Sequence, residues 1–362
     1  MKRRKLKKEV KLITIFLVIP AIFLLIASFI CIYLMSPVDK KSKTDIEIVI
    51  ESGMTTKKIG QLLKEKDLIR SDKFFYIYNK FNRCPSLKAS TYKLRKNMTL
   101  DEIIKSICDG NSYNPNVVKI TFKEGKRITD YAKVISENTN HSYEEVIKIM
   151  NDQIYLKSLQ SKYWFITEDV FAPGIYYPLE GLLAPDTYLF DNKSIKVETI
   201  IEKLLDETKK KLNPYKSKLE TGAYTINEYI TFASILELEG TNDDNRKKIM
   251  GVFENRLKAK MNLGSDVTTY YGIQKTLSED LTAKEIATIN EYNTRTNNMI
   301  GKLPIGPICS VSVSSINAAI ESDDNDYYYF VADKHGKIYY TKTYQEHEQK
   351  VKEIKKAGDW IW

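Results

Sequence analysis

Apolar residues recur along this chain with two periods, and their spacing predicts many short helices and a few strands. Ile46-Glu-Ile-Val-Ile50 alternates as a half-buried strand. Thr55 or Thr56 caps a helix running to about Lys66, and a second helical stretch covers Phe74 to Phe81. Tyr92-Lys-Leu94 reads as a short strand, and Thr99-Leu-Asp-Glu102 is a capping box opening a helix that stops at Gly110. Together these form a small α+β module of the size that is only marginally stable alone. Val117 to Phe122 is the next strand. Helices follow over 130–137, from a Ser142–Glu145 cap to about Met150, and over 195–212, while 162–188, rich in aromatics, Pro and Gly, reads as irregular. Beyond them come helices over 225–240 and 244–260 and a polar loop with tyrosines over 264–272. Strands over 327–332 and 337–341 are joined by Asp333-Lys-His-Gly336 as a hairpin, and a last helix covers 345–356. The fold class expected is α+β.

The helix from Thr225 to Gly240 carries the most informative side chain. Thr225 with Glu228 is a capping box, and Gly240 is a stop. At ~100° per residue, Ile226, Tyr229, Ile230, Phe232, Ala233 and Leu236 share one face. Glu237 falls inside that face, while Glu239 lies roughly 200° further round. A carboxylate on an apolar stripe is costly unless something uses or pairs it. The negative end of the helix dipole adds to the cost of ionisation. Such a setting favours the protonated form a general acid needs; the bland alternative is a Glu paired with a buried Lys or Arg. Ala233, Ser234 and Gly240 are small neighbours that leave room for a bulky ligand or, equally, for close helix packing.

A charge-free apolar run from Leu12 to Met35 follows a basic start, and at ~1.5 Å per residue it is long enough for a bilayer of about 30 Å. It is too long for a signal-peptide core, and Tyr-Leu-Met-Ser-Pro37 is a poor cleavage site. An uncleaved anchor is expected at 12–35, with residues 1–11 cytoplasmic, the remainder outside the cell membrane and 36–44 a linker. Residues 1–11 hold seven Lys/Arg and one Glu, so +6 of the net charge of +9 sits in the tail. The remaining 49 basic and 46 acidic residues leave no electrostatic footprint for nucleic acid. The four cysteines, Cys31, Cys84, Cys108 and Cys309, form no CxxC pair, and a Cys84–Cys108 bridge has no support from spacing. Three scattered histidines, His141, His335 and His347, are not at ligand spacing, so neither metal nor other cofactor is expected.

Glycoside cleavage usually needs two carboxylates. Glu239 is turned away from Glu237; Glu180, Asp186 and Asp266 are other acidic candidates. A single carboxyl also suffices if it protonates the glycosidic oxygen and then deprotonates the sugar's own hydroxyl as it closes on the anomeric carbon. Tyr292-Asn-Thr-Arg-Thr296, ahead of Leu303-Pro-Ile-Gly-Pro-Ile308, offers amide and hydroxyl groups suited to sugars, or is an ordinary surface loop.

Ala233-Ser-Ile-Leu-Glu-Leu-Glu239 resembles the catalytic signature of the MltG/YceG-like endolytic murein transglycosylases. The resemblance extends through Val252-Phe-Glu-Asn-Arg-Leu257, Leu263-Gly-Ser-Asp-Val-Thr268, Tyr271-Gly272, Tyr292-Asn-Thr294 and Leu303–Ile308. It continues at Ser315-Ile316, Ala318-Ala319, Tyr329–Asp333 and Glu346-His347, and upstream at Glu124-Gly125, Glu180-Gly181 and Pro185-Asp-Thr-Tyr188. It implies a LysM-like module at 45–115 and a catalytic domain at 116–362. It further implies cleavage of the MurNAc–GlcNAc bond of peptidoglycan without water, leaving a 1,6-anhydro-MurNAc end. By the same match Glu237 is the acid/base, and Ser234, Asp266, Thr268, Tyr292, Asn293 and Thr294 lie around the glycan cleft. The implied partners are nascent glycan strands, the membrane, and peptidoglycan synthases with division or elongation proteins. A hydrolytic muramidase and an inactive wall-binding scaffold are the competing functions. The family pattern usually has Gln at Gly264, Pro at Val267 and Ile305, and Asn-Pro-Gly at Ser310-Val311-Ser312.

Overall fold

The computed structural model describes residues 19–51, 53–81, 87–109 and 116–360. The basic tail, the first part of the apolar run, Cys84 and the Gly110 stop lie outside the described residues. The chain divides into two compact units, Met1–Asn116 and Val117–Trp362.

In the first unit, α1 (Ile19–Met35) leaves its apolar side chains uncovered, Phe23, Leu24 and Phe29 among them. Among the described residues no helix is long and apolar enough to cross a membrane. β1 (Asp45–Ile50) precedes α2 (Thr56–Glu65) and α3 (Asp72–Phe81); β2 (Ser90–Arg95) and α4 (Leu100–Asp109) follow. Strand β1 pairs antiparallel with β2, Ile48 opposite Tyr92. Ile48, Ile50, Leu63, Phe75, Tyr92, Leu94 and Ile103 close one core under this ribbon. Thr55 caps α2, and the Thr99–Glu102 box closes with bonds of 2.8 and 3.2 Å. Cys108 is disulfide-bonded, while Cys31 and Cys309 are free thiols.

The second unit opens with β3 (Val118–Phe122), α5 (Ile128–Asn138) and α6 (Tyr143–Met150). β4 (Asp186–Phe190) returns antiparallel to β3, with Ile120 opposite Tyr188. The irregular reading of this stretch missed the start of β4, because its pairing with a strand some 65 residues earlier has no local signal. α7 (Val197–Leu212) leads to α8 (Ile226–Glu239), α9 (Asp243–Lys258), α10 (Asp266–Gly272) and α11 (Val313–Ile320). The hairpin β5 (Tyr329–Ala332) and β6 (Ile338–Thr341) and the helix α12 (Tyr344–Ala357) complete it.

Helix α8 is the axis of this unit. It is buried all round from Ile226 to Leu236 except at Glu228, so the one-sided apolar stripe expected from the sequence is instead a central core helix. Thr225 caps it as predicted, its hydroxyl accepting from Glu228 N at 3.2 Å. Gly240 ends it in an ordinary extended conformation, φ −92°, and not in the left-handed cap that favours glycine. Glycine is needed there for space: a Cβ would stand 2.3 Å from Arg246 Cγ. The polar loop expected over 264–272 contains α10, whose Thr268 to Gly272 are all buried. β-branched and aromatic residues are poor helix formers, so tertiary burial makes this helix.

Candidate active site

Glu237 sits in the last turn of α8, its side chain 7 % exposed. The apolar setting expected there is replaced by donors. Its Oε2 accepts from Ser312 N at 2.9 Å, Ser312 Oγ at 2.6 Å and Ser315 Oγ at 2.6 Å. A charged carboxylate is therefore paired rather than stranded. Among the described residues its Oε1 has one partner, Arg246 Nη2, at 3.5 Å. That distance is too long for a strong charge-assisted bond, so the cation neighbours the acid without locking it.

Three pieces of local structure produce this geometry. Ser312 is the N-cap of α11: its Oγ accepts from Ser315 N at 3.1 Å, which brings both serines to the start of that helix. Arg246 comes from the first turns of α9, its stem passing over Gly240. It is steadied by Ser314 Oγ at 3.0 Å and by Asp243 at 3.4 Å, while its buried Nε–H meets no acceptor among the described residues. Gly125, with φ +68°, lays the loop before α5 along the acid's stem; a Cβ there would be 4.0 Å from Glu237 Cγ. This loop is tied to the strand-like segment before α11 by Gly125 N to Ser310 O at 2.9 Å and Ser310 N to Lys126 O at 2.8 Å.

The other acidic candidates do not join Glu237. Glu239 is turned to the opposite side, where Ser265 Oγ donates to it at 2.5 Å; burial pushes its carboxyl up. Asp186 is exposed at the start of β4, held low by the Thr187 backbone N–H and offset only in part by burial, with Lys211 beside it. Glu180 lies in the core against the N-terminus of α5. It accepts from Ile128 N at 3.1 Å and from Tyr271 OH at 3.0 Å, and burial pushes its carboxyl up to about 8. The thiol of Cys309 is buried, which raises it well above its ordinary value, and its Sγ donates to Ser234 O at 3.3 Å.

Five of the six residues expected around the glycan are interior. Ser234 accepts from Ile308 N at 3.0 Å and donates to Thr231 O, pinning the proline loop to α8. Thr268 and Thr294 bond each other at 2.8 Å, and Thr294 also accepts from Ser265 N. Asn293 uses both ends of its amide: Thr269 Oγ1 donates to it, and it donates to Ile286 O and Thr288 O. Tyr292 is buried in a cluster with Tyr176 and Tyr271, ring centroids 4.9 and 4.8 Å away. Their polar atoms hold loops together and face no open surface. Only Asp266 is exposed, its side chain 51 % accessible and ion-paired with Arg295. A cleft of about 760 Å³ lies at the other end of α8, lined by Tyr224, Asn227, Lys302 and Ile305, away from Glu237. Among the described residues no group of three His, Cys, Asp or Glu is placed to hold a metal ion.

Gly181 shows how tightly the loops seat. Its φ is +75°, and a Cβ would meet Pro307 Cβ at 2.6 Å and Ile230 at 2.9 Å. Gly181→Ala is expected to cost about 2 kcal/mol or more through strain and overpacking, read as a lowered midpoint of thermal or urea unfolding.

Sequence reasoning missed Ser312, Ser315 and Arg246. Ser312-x-x-Ser315 followed by Ile316, Ala318 and Ala319 is a helix-start signal that could have placed the serines on one N-terminal turn. Nothing local links that turn to a glutamate 75 positions earlier.

The profile of the YceG-like family matches residues 48–353. An endolytic murein transglycosylase of Bacillus subtilis is 36 % identical over 317 residues, 87 % of this chain and 86 % of that protein. One from Streptococcus pneumoniae is 32 % identical over 337 residues, which span 88 % of this chain and 60 % of that longer protein. A crystal structure of a yceG-like protein from Listeria monocytogenes superposes with a TM-score of 0.61 at 33 % identity, covering 85 % of this chain and 99 % of that one.

Proposed function

This chain belongs to the YceG-like family, and from that premise we propose that it is an endolytic murein transglycosylase with Glu237 as its single acid/base. The observation that carries the reading is the asymmetry of the Glu237 carboxyl. Oε2 is anchored by three donors, so Oε1 is the oxygen left to carry and exchange a proton. Glu237 gives that proton to the GlcNAc oxygen of the scissile bond as the bond to the MurNAc anomeric carbon breaks. An oxocarbenium-like centre forms. The MurNAc 6-hydroxyl oxygen then bonds to the anomeric carbon, and its proton returns to Oε1. One carboxyl serves both steps and no water is consumed. Asp243, the carboxylate that shares Arg246 with Glu237, is itself engaged by Arg246 and Ser314. The role of Thr268, Tyr292, Asn293 and Thr294 is to fix the loops around the acid, while exposed Asp266 is the one of the set able to reach a glycan.

The apolar run from Leu12 to Met35 is the membrane anchor of this reading, with a cytoplasmic basic tail and the rest facing the wall. The uncovered Phe23, Leu24 and Phe29 of α1 support it. The module around β1 and β2 is LysM-like and holds glycan, and cleavage of nascent strands ends their elongation beside the synthases that make them. Digestion of purified glycan strands, followed by mass spectrometry of the new ends, tests the chemistry. The expected ends are 1,6-anhydro-MurNAc, one water lighter than reducing ends. Reducing MurNAc ends would establish a muramidase, and intact strands a scaffold.

A further inference from the structure

The geometry points to Ser312 and Ser315 as positioning residues that hold Glu237 by one carboxyl oxygen and leave the other free of their hydroxyls. This rests on the transglycosylase reading above. Glu237 lies at the C-terminal end of α8, and the N-terminal turn of α11 meets it there, with one backbone N–H and two hydroxyls converging on Oε2.

The hydroxyl protons are accounted for. Ser312 Oγ gives its proton to Glu237 and accepts from Ser315 N, so one side chain caps the helix and holds the acid. Ser315 Oγ, also 2.6 Å from Oε2, lies 3.2 Å from Ser312 Oγ and is the alternative acceptor for the Ser312 proton. Charged and titratable groups beside it among the described residues are Arg246 on α9 with its partner Asp243 and the buried Cys309 thiol, while Glu124 and Lys126 flank Gly125 in the loop that runs along its stem. Only Arg246 bonds to the carboxyl among these, and at 3.5 Å. A group that donates a proton and takes it back must be held in one place through both steps. The two serines hold Oε2 and leave Oε1 facing Arg246 Nη2 alone among the described residues.

Ser312→Gly and Ser315→Ala test this directly. Glycine is a tolerable N-cap, so Ser312→Gly removes the hydroxyl while keeping the N–H and most of the helix start. Each variant is expected to lower kcat for glycan cleavage about tenfold with KM nearly unchanged, and to move the alkaline limb of the pH profile up by about one unit. Ser315→Thr restores both. A second readout does not depend on turnover: the carboxyl carbon of Glu237, assigned in 13C NMR by its loss in Glu237→Gln, is expected to titrate at higher pH in Ser312→Gly. An unchanged titration and pH profile in both variants would overturn the positioning role, even in a chain that cleaves normally. Absence of any cleavage by the unaltered protein would instead remove the transglycosylase reading, with the NMR titration still reporting on the clamp.

Discussion

Glu237→Gln is expected to reduce glycan cleavage by at least about 10²–10⁴-fold, while leaving the protein folded. Glutamine matches the side chain in size, and its carbonyl oxygen can still accept from Ser312 N, Ser312 Oγ and Ser315 Oγ. It can neither give a proton to a leaving oxygen nor take one from a hydroxyl, so both halves of the reaction fail together. Glu237→Asp separates chemistry from reach. The shorter acid still titrates, but a carboxyl held by the α11 serines is then about one carbon bond further from the bound sugar, and misplacement on that scale costs on the order of 10²-fold. Release of anhydro ends, followed with time, checks both variants, and an unfolding midpoint shows that the fold is kept. Cleavage at the unaltered rate by Glu237→Gln would remove this residue from the chemistry, leaving the family assignment in place and the acid to be sought elsewhere.

Glu180→Gln is expected to change stability more than activity, in a way that depends on pH. Burial holds the Glu180 carboxyl protonated up to about pH 8, against an ordinary value of 4.5. Between these values the unfolded chain has released the proton and the folded chain has not. The folded state then binds more protons, so stability falls as pH rises. The contribution is fully present below pH 4.5 and is lost progressively by pH 8. With 1.36 kcal/mol per unit, the loss reaches a few kcal/mol at most. Glutamine stays neutral throughout and can still accept from Ile128 N or Tyr271 OH. The variant's stability is therefore expected to vary less across pH 5–8 than that of the parent, and its advantage to grow toward pH 8. Urea unfolding at several pH values measures this; parallel curves would mean that Glu180 does not hold its proton in the fold. Glu180→Ala is the harsher change, because it leaves Ile128 N without its acceptor in the core, a cost of about 1–3 kcal/mol at every pH.

Much of the architecture is legible in the sequence. Caps at Thr55, Thr99, Ser142 and Thr225 are local contracts between a side chain and a backbone N–H three residues on, so each could be read directly and each forms. The Asp333–Gly336 turn closes β5 to β6 with Asp333 N bonded to Lys337 O, again a local matter. The segments read less well are those whose structure depends on distant partners. β4 exists because β3 is there to pair with it, and α10 exists because Thr268, Thr269, Tyr270 and Tyr271 are buried against other elements.

For the site, the chain's own pattern singled out Glu237 by setting a carboxylate beside a run of core residues, and that is a property of one helix's periodicity. Its surroundings were decided by tertiary structure. Ser312 and Ser315 meet Glu237 across 75 and 78 residues because the N-terminal turn of α11 lies against the last turn of α8, and Arg246 arrives because Gly240 has no side chain to block it. The same packing turned Ser234, Thr268, Tyr292, Asn293 and Thr294 inward, where their hydrogen bonds brace loops. Periodicity settles which face of an element is apolar, because it acts between neighbours in the chain. Which polar groups converge on a buried charge depends on how those faces are assembled, and that only the folded chain decides.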